Sequence, residues 1–504
     1  MVNNNRQIAL PLLLSSLLIA GLVIGNFLAK KEGAGFFGNN HLSTYQQVIE
    51  LIRSNYVDPI DLDSLQGNTI QDLLKELDPH SYYLTAAEVQ ESSEQLSGHF
   101  EGIGVEFNIY SDTATLIYIF PNGPGEKAGL LPGDKLLSVN GYSLTKKGLS
   151  ADSLRATIKG KSGSIATLGI LRKDSMYKIP VTRGAIPLPA VQAAYMLQSK
   201  TGYIRIEKFS ETAYEEFMKN LELLKKNSLE NLVIDLRGNG GGLLAEAVDI
   251  ADELIDNKKL LVYTKGDKIG KKEYRAERPG LFEKGKVCVL IDEFSASASE
   301  VVAGCVQDWC RGKIIGHPSF GKGLVQQEYT LKDGAAVRLT VARYYTPLGR
   351  CIQQPYGKSD SIIKSGPFVN PCKDTLRASN GISPDILVTT TQDTVLFQSK
   401  AIRKAFSLLT PFCFKFYTQW QQEFQKLNDP HQLLSHSLLQ NQLEKDWQKW
   451  VSTTLQEKMS STENNFLKER MLATLARFKW RENGFYQILN SFDPVIKEAI
   501  NVTH

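Results

Sequence analysis

For a chain of 504 residues, cysteine and histidine are scarce, at 6 and 7 copies. Neither is arranged to hold a metal. There is no C-x-x-C pair and no H-E-x-x-H, so the spacings that close a zinc site are missing. An arginine-rich stripe and a basic tail are also lacking. A net charge of +4 spread along the chain argues against nucleic acid as a partner. One glycine-rich loop exists, Gly238 to Gly242, but no G-K-[ST] follows it. Gly240 is followed three residues later by Leu243, so neither a P-loop nor a dinucleotide fingerprint fits. No cofactor and no metal is expected. Cys288, Cys305 and Cys310 lie in apolar stretches and read as small core residues. Cys351 and Cys372 flank a polar segment and are the pair a disulfide would join in an exported chain.

What is present is a globular composition, 42% hydrophobic and 22% charged, in a chain too long for one ordinary core. The start is the exception. From Gln7 to Ala29 no charge occurs, a run long enough to cross roughly 30 Å of hydrocarbon as a helix. It exceeds the ~7–15 apolar residues of a cleaved signal peptide and lacks a clear A-x-A site before Lys30, which favours an uncleaved anchor. A lone N-terminal anchor ahead of a large soluble body implies export. The expected location is the cell envelope, anchored in the inner (cytoplasmic) membrane with the body on the periplasmic or extracytoplasmic side.

The texture changes along the chain and defines five segments: 1–29, the anchor; 39–98, helical; 99–183, β-rich; 184–396, an α/β core; and 397–504, helical. In the second, Ser43-x-x-Gln46 reads as a capping box before Tyr45, Val48, Ile49, Ile52 and Tyr56 at helical spacing, with another helix around Thr69–Leu77. The third has short β runs ("IGVEFNI", "ATLIYIF", "KLLSVNGYSL", "IATLGILR", "MYKIPVTR") and one good amphipathic helix, "SADSLRATIKG". The fourth alternates apolar strands ("GYIRI", "NLVIDL", "KVCVLI", "KIIG") with helices, the rhythm of a sheet covered on both faces. In the last, Phe416, Trp420, Phe424 and Leu427 share a helix face, as do Leu443, Trp447, Val451 and Leu455. Such stripes read as core or interface.

Chemistry concentrates in the fourth segment. "DEFSASASEVVAGCVQDW" places three serines alternating with alanine where a strand hands over to a helix. Ser297-x-x-Glu300 is itself a capping box, so Ser297 reads either as a cap or as a nucleophile. "DLRGNGGGLLAEA" ends a strand in glycines and opens a helix, an arrangement that aims backbone N–H groups at negative charge. With phosphate motifs excluded, an oxyanion hole remains. In "GHPSFGKGLVQQ", Lys322 is either a solvated surface lysine or a base whose pKa burial has lowered. His317 is the one histidine available in this segment, and no acid is placed to orient it.

The ordered set "LRGNGGG", "FSASASE", "QDW" and "FGKGLVQ" resembles the carboxyl-terminal processing peptidases, tail-specific serine proteases with a Ser/Lys pair. "LDPHSYYL" and "GHFEGIGVEF" resemble the region ahead of that family's PDZ module, and "GPGEKAGLLPGDKLLSVNG" the module itself; the likeness covers about residues 43–390. It implies Ser297 as nucleophile, Lys322 as general base and Gln326, one helical turn on, as the residue orienting the lysine. The backbone N–H of Ala298 and of a glycine among Gly240, Gly241 and Gly242 would form the oxyanion hole. Asp308 falls on an acidic position with a supporting or structural role. Gly102, Ile103, Gly104 and Val105 fall where such modules bind a free terminal carboxylate while the peptide adds as a strand. The expected partners are proteins with apolar C-termini, the membrane, and a second copy or a lipoprotein adaptor at the C-terminal helices. Two rival functions are a PDZ adaptor or scaffold on an inactive peptidase fold and an acyl-CoA-type enzyme. Intact Ser297, Lys322 and Gln326 argue against the first, and the absence of a recognisable CoA phosphate site against the second.

Overall fold

A computed structural model describes residues 48–49, 62–110, 112–144, 150–256, 258–356, 366–378, 380–388, 396, 398–455 and 459–503. The apolar run Gln7–Ala29 and the capping box at Ser43 lie outside them. No helix among the described residues is long and apolar enough to cross a membrane. The chain divides into two compact units, Met1–Leu73 and Leu74–His504. The first holds most of the Leu62–Lys75 helix, which begins well before the expected Thr69. The remaining elements belong to the second unit.

The β-rich segment forms a sheet in the order Val105–Tyr110, Thr113–Ile119, Lys135–Val139, Ile165–Arg172, Ser175–Thr182, with Tyr142–Ser143 folding back on Lys135–Val139 around Asn140-Gly141. The strands turn apolar side chains to one face, most regularly in Ile165–Arg172. Leu116, Leu136, Leu168 and Ile170 therefore meet Leu154 and Ile158 of the Ala151–Ile158 helix in one core. Val105–Tyr110 lies at the end of this order and leaves one edge unpaired by the sheet.

The α/β segment builds a six-stranded sheet, ordered Val191–Met196, Thr201–Ile206, Asn231–Asp235, Lys286–Ile291, Lys313–Gly316, Ile386–Leu387. The first pair is antiparallel and the rest are parallel. Ile204, Ile206, Leu232, Ile234, Val287, Val289 and Ile291 point to one face, under the helices Ala213–Lys226, Leu244–Asp252 and Ala298–Asp308. Tyr203, Val233, Cys288, Leu290 and Ile315 point to the other. That second face is covered by Val495, Ile496 and Ala499 of the last helix, Pro494–Thr503. The C-terminal region thus packs on the α/β core. A buried ion network fastens it there. Burial alone would raise the Asp235 pKa, but Arg237 (2.7 Å) and Arg205 (3.1 Å) hold it well below its ordinary value, and Arg237 reaches on to Asp493 at 2.7 Å.

The two aromatic stripes of that region do enter one core, but not on two helices. The chain breaks at Trp420, between the helices Lys400–Gln419 and Gln421–Lys426. The long Ser461–Asn490 helix is kinked at Arg481, whose φ of 56° no helix permits. Arg481 (2.6 Å) and Arg477 (2.9 Å) both bind Glu106 on the edge strand of the β-rich module.

A second sheet escapes the sequence reading. Tyr82–Leu84, Ala336–Tyr345, Leu260–Gly266 and Gly270–Arg275 lie side by side, with Leu324–Thr330 paired to Ala336–Tyr345. Residues 39–98 are thus not purely helical. Leu324–Thr330 is largely exposed, so it lacks the apolar alternation that reveals a strand. The expected Cys351–Cys372 pairing is also corrected. Cys372 is bonded to Cys310, which follows the Ala298–Asp308 helix, and Cys351 is a buried free thiol.

Candidate active site

The three serines of "SASAS" divide their roles by position. Ser295 and Ser299 are fully buried, and each hydroxyl donates to a carbonyl of the glycine-rich loop: Ser295 to Leu236 and Ser299 to Asn239, both at 2.8 Å. They rivet the strand-to-helix elbow to that loop. Ser297, between them, is only partly buried. It caps the Ala298–Asp308 helix with φ 56° and ψ −113°, a conformation that costs a side-chain-bearing residue about 1–3 kcal/mol. Its own N–H donates to the Glu300 carboxylate (2.8 Å), so the cap motif is present from the glutamate's side.

Glu300 is the residue that sequence reasoning undervalued. Fully buried, it accepts from Ser297 N–H (2.8 Å) and Lys322 N–H (2.9 Å) on one oxygen, and from Ser319 Oγ (2.6 Å) and Gly321 N–H (2.8 Å) on the other. One carboxyl group therefore gathers the backbones of the serine and lysine segments. Burial raises its pKa, and the four donors pull it back only in part. Tyr344, also buried, adds a second tie, its hydroxyl donating to the carbonyls of Ser297 (3.0 Å) and Lys322. Only the Ser297-x-x-Glu300 spacing hinted at the first tie; nothing local marked the second.

Lys322 is half-buried, and its Nζ donates to Gln326 Oε1 at 2.7 Å. Burial lowers the amine's pKa first, and the Arg338 cation lowers it further, against smaller pulls from Asp78 and Glu300. An amide partner suits a base: unlike a carboxylate it orients the amine without holding it as ammonium. Gln326 lies on the Leu324–Thr330 strand, beside a bulge between Val325 and Gln326, and not one helical turn from Lys322 as the spacing suggested. Its Nε2 donates to the His80 carbonyl. Among the described residues no hydrogen bond joins Ser297 Oγ to Lys322 Nζ. His317, the alternative base, has its backbone N–H tied to Ile291.

The glycine loop meets Ser297 closely. A Cβ on Gly241 would lie 2.8 Å from Ser297 Cβ and 2.7 Å from the Ala296 carbonyl oxygen, and φ is +101° there, so only glycine fits. The Gly241 N–H, however, donates to Asn239 Oδ1 (2.8 Å), which takes it away from an oxyanion. Gly240 faces open space. Among the described residues its N–H has no protein acceptor, and neither has that of Ala298, the first residue of its helix. Asp308 stands at the far end of that helix, fully buried and paired with Arg350 at 2.6 Å, also accepting from Leu348 N–H. It is a structural anchor and does not reach the site.

Gly102, Ile103, Gly104 and Val105 line a cavity of about 410 Å³, closed by Phe100, Ile117 and Ile158. It runs beside the edge strand Val105–Tyr110, and the Ala86–Ser97 helix supplies Glu91 and Glu94 to its rim.

The model of peptidase family S41 matches residues 200–362, and that of the PDZ domain residues 118–172. The carboxy-terminal processing protease CtpB of Bacillus subtilis is 35% identical over 316 residues, covering 61% of this chain and 65% of that protein. The carboxy-terminal-processing protease of Bartonella bacilliformis is 34% identical over 328 residues, covering 62% of this chain and 74% of that protein. Among solved structures, the photosystem II D1 C-terminal processing protease is 25% identical with a TM-score of 0.37, covering 69% of this chain and 87% of that one.

Proposed function

This chain belongs to peptidase family S41, among the carboxy-terminal processing proteases, and from that premise we propose that it is a serine endopeptidase that selects substrates by their C-terminal tails and cleaves them with Ser297 and Lys322. The observation that supports this most is the lysine's setting: a half-buried amine, its pKa lowered, bonded to a neutral amide and tied by its backbone to the same carboxylate oxygen as Ser297. A lysine kept for solubility needs none of that.

In this mechanism the neutral Lys322 amine takes the Ser297 hydroxyl proton as Oγ bonds to the peptide carbonyl carbon. The N–H groups of Ala298 and Gly240 receive the oxyanion, each worth roughly 3–4 kcal/mol in related chemistry. The Lys322 ammonium then protonates the leaving amine as the C–N bond breaks. Water, deprotonated by the same amine, releases the acyl group and restores the serine. Formation of the Ser–Lys hydrogen bond falls to the substrate complex, where catalytic hydrogen bonds commonly tighten.

The 410 Å³ cavity would take an apolar C-terminal side chain, with the terminal carboxylate on the Gly102–Val105 backbone and the peptide as an added strand. The anchor reading of Gln7–Ala29 places the body outside the cytoplasm.

The test is to incubate the soluble part with a protein ending in an apolar tail, beside Ser297→Ala and Lys322→Ala. Cleavage by the wild type alone is expected, and equal cleavage by all three would reject the mechanism. Amidating the tail should weaken binding; an amidated tail bound as well as the free acid would reject the carboxylate role.

A further inference from the structure

Lys322 is aimed by Gln326, but an amide has two ends of nearly the same shape, and only its oxygen can accept from the amine. The end presented is decided by what meets the other, here the backbone carbonyl of His80. A carbonyl is an acceptor only, so it can hold the NH2 end alone. His80 belongs to the loop Asp78-Pro79-His80-Ser81, and that loop is shaped by one side chain. Asp78, 8% exposed, accepts on Oδ1 from His80 N–H (2.8 Å), Ser81 N–H (2.8 Å) and Thr340 Oγ1 (3.2 Å), and on Oδ2 from Ser81 Oγ (2.6 Å). Ser81 Oγ in turn accepts from Thr340 N–H at 3.1 Å. Thr340 is the residue paired with Gln326 across the two strands. The loop is thus pinned directly opposite the amide it controls.

We infer that Asp78 is a positioning residue for the general base: it folds the 78–81 loop onto Thr340, aims the His80 carbonyl at Gln326, and so fixes the Gln326 oxygen on Lys322. This rests on the Ser297/Lys322 reading. Its charge works against the lysine's role. Of the charged groups acting on the amine, Arg338 favours the neutral form, while Asp78 and Glu300 favour the ammonium; the nearby His80 ring has its pKa lowered by burial and then by Lys322, against a smaller pull from Asp78. A carboxylate that opposes deprotonation of the base yet accepts four hydrogen bonds is used for its geometry.

Two variants of the full chain separate geometry from charge. Asp78→Asn keeps the Oδ1 acceptor, and its NH2 can donate to Ser81 Oγ, so the loop should stand. The expected result is kcat within about threefold of wild type, with the acid limb of the pH–rate profile moved to lower pH, because a charge favouring the ammonium has gone. Asp78→Ala removes every acceptor; kcat should fall roughly 10–100-fold, the scale of a displaced catalytic group, with KM little changed. Equal losses in both variants that track thermal stability, with the acid limb unmoved in Asp78→Asn, would overturn the inference, as would full activity in Asp78→Ala. A second readout needs no peptidase activity: labelling of Lys322 by 1-fluoro-2,4-dinitrobenzene against pH, followed by mass spectrometry. If the wild type cleaves nothing, the peptidase reading falls, and a labelling rate at high pH, where the amine is neutral, that changes in Asp78→Ala but keeps the wild-type value in Asp78→Asn still supports the positioning role. A rate alike in all three proteins, or changed equally in both variants, rejects it.

Discussion

The serine and the lysine are held by different means. Ser297 sits on an elbow riveted by buried groups within the α/β core: Ser295 and Ser299 to loop carbonyls, Gly241 pressed against its Cβ, and the Ala298–Asp308 helix behind it. Lys322 precedes a largely exposed strand of the second sheet, and its amine is placed by a relay of Gln326, His80 and Asp78. The proposed nucleophile is fixed by the fold, whereas the proposed base is held by Gln326, which meets a backbone carbonyl from a distant part of the chain. Changes near the serine should therefore register mainly in stability, and changes near the lysine mainly in rate and pH dependence. Glu300 is where the two arrangements meet.

The largest effects should come from the two proposed reacting groups. Ser297→Ala and Lys322→Arg should each lower kcat by about 10⁴-fold or more, with little change in thermal stability; arginine keeps the positive charge but cannot deprotonate. Measurable turnover in Lys322→Arg at neutral pH would break the comparison at its base.

Next comes the junction. Glu300→Gln replaces one accepting oxygen by an NH2 group and strands two buried donors, at about 1–3 kcal/mol each. Chemical denaturation should show a loss of about 2–6 kcal/mol, and activity should fall as well, because both arms lose their common tie.

A smaller effect tests the lysine side alone. The proposed mechanism requires the neutral amine, so activity should decline as pH drops through the Lys322 pKa, which burial and Arg338 set below the ordinary lysine value. Arg338→Gln removes a cation that disfavours the ammonium, so the pKa should rise and the acid limb should move to higher pH. Folding stability follows the same group. A folded pKa below the unfolded one means that stability falls as pH drops through the interval between the two and is level below it. An acid limb unmoved in Arg338→Gln would show that Arg338 has no part in lowering the pKa.

The smallest effect tests the serine side. Glycine relieves the positive φ at 297, so Ser297→Gly should be about 1 kcal/mol more stable than Ser297→Ala by denaturant titration, with both inactive. Equal stabilities would mean that the elbow is unstrained.

How much of this was legible follows from where each signal resides. The strands of the α/β core and of the β-rich module could be read from apolar runs and turn residues, because burial there is local and periodic. The second sheet could not: Leu324–Thr330 shows its side chains to solvent, and its partner Tyr82–Leu84 lies in a segment that otherwise reads as helical. Lys322 and Gln326 were marked by motif, but the four-residue spacing suggested a helix where a bulged strand stands. The glycine loop was recognised as a donor site, yet the loss of the Gly241 N–H to Asn239 depends on a side-chain rotamer that no spacing encodes.

By itself the sequence determined the element types of the α/β core and the β-rich module, the small residues around Ser297, the glycine that its neighbour requires, and the residue types available for catalysis. These follow from backbone sterics and burial, which act over a few residues. The tertiary structure alone decided which serine stays free, which glycine keeps its N–H, that Asp308 is an anchor, that Glu300 and Tyr344 tie the backbones of Ser297 and Lys322 together, and that the His80 carbonyl meets Gln326. Those outcomes depend on hydrogen bonds between groups up to 262 positions apart, as from Asp78 to Thr340. Such bonds are short-ranged and directional, so they exist only once the whole chain has placed both partners.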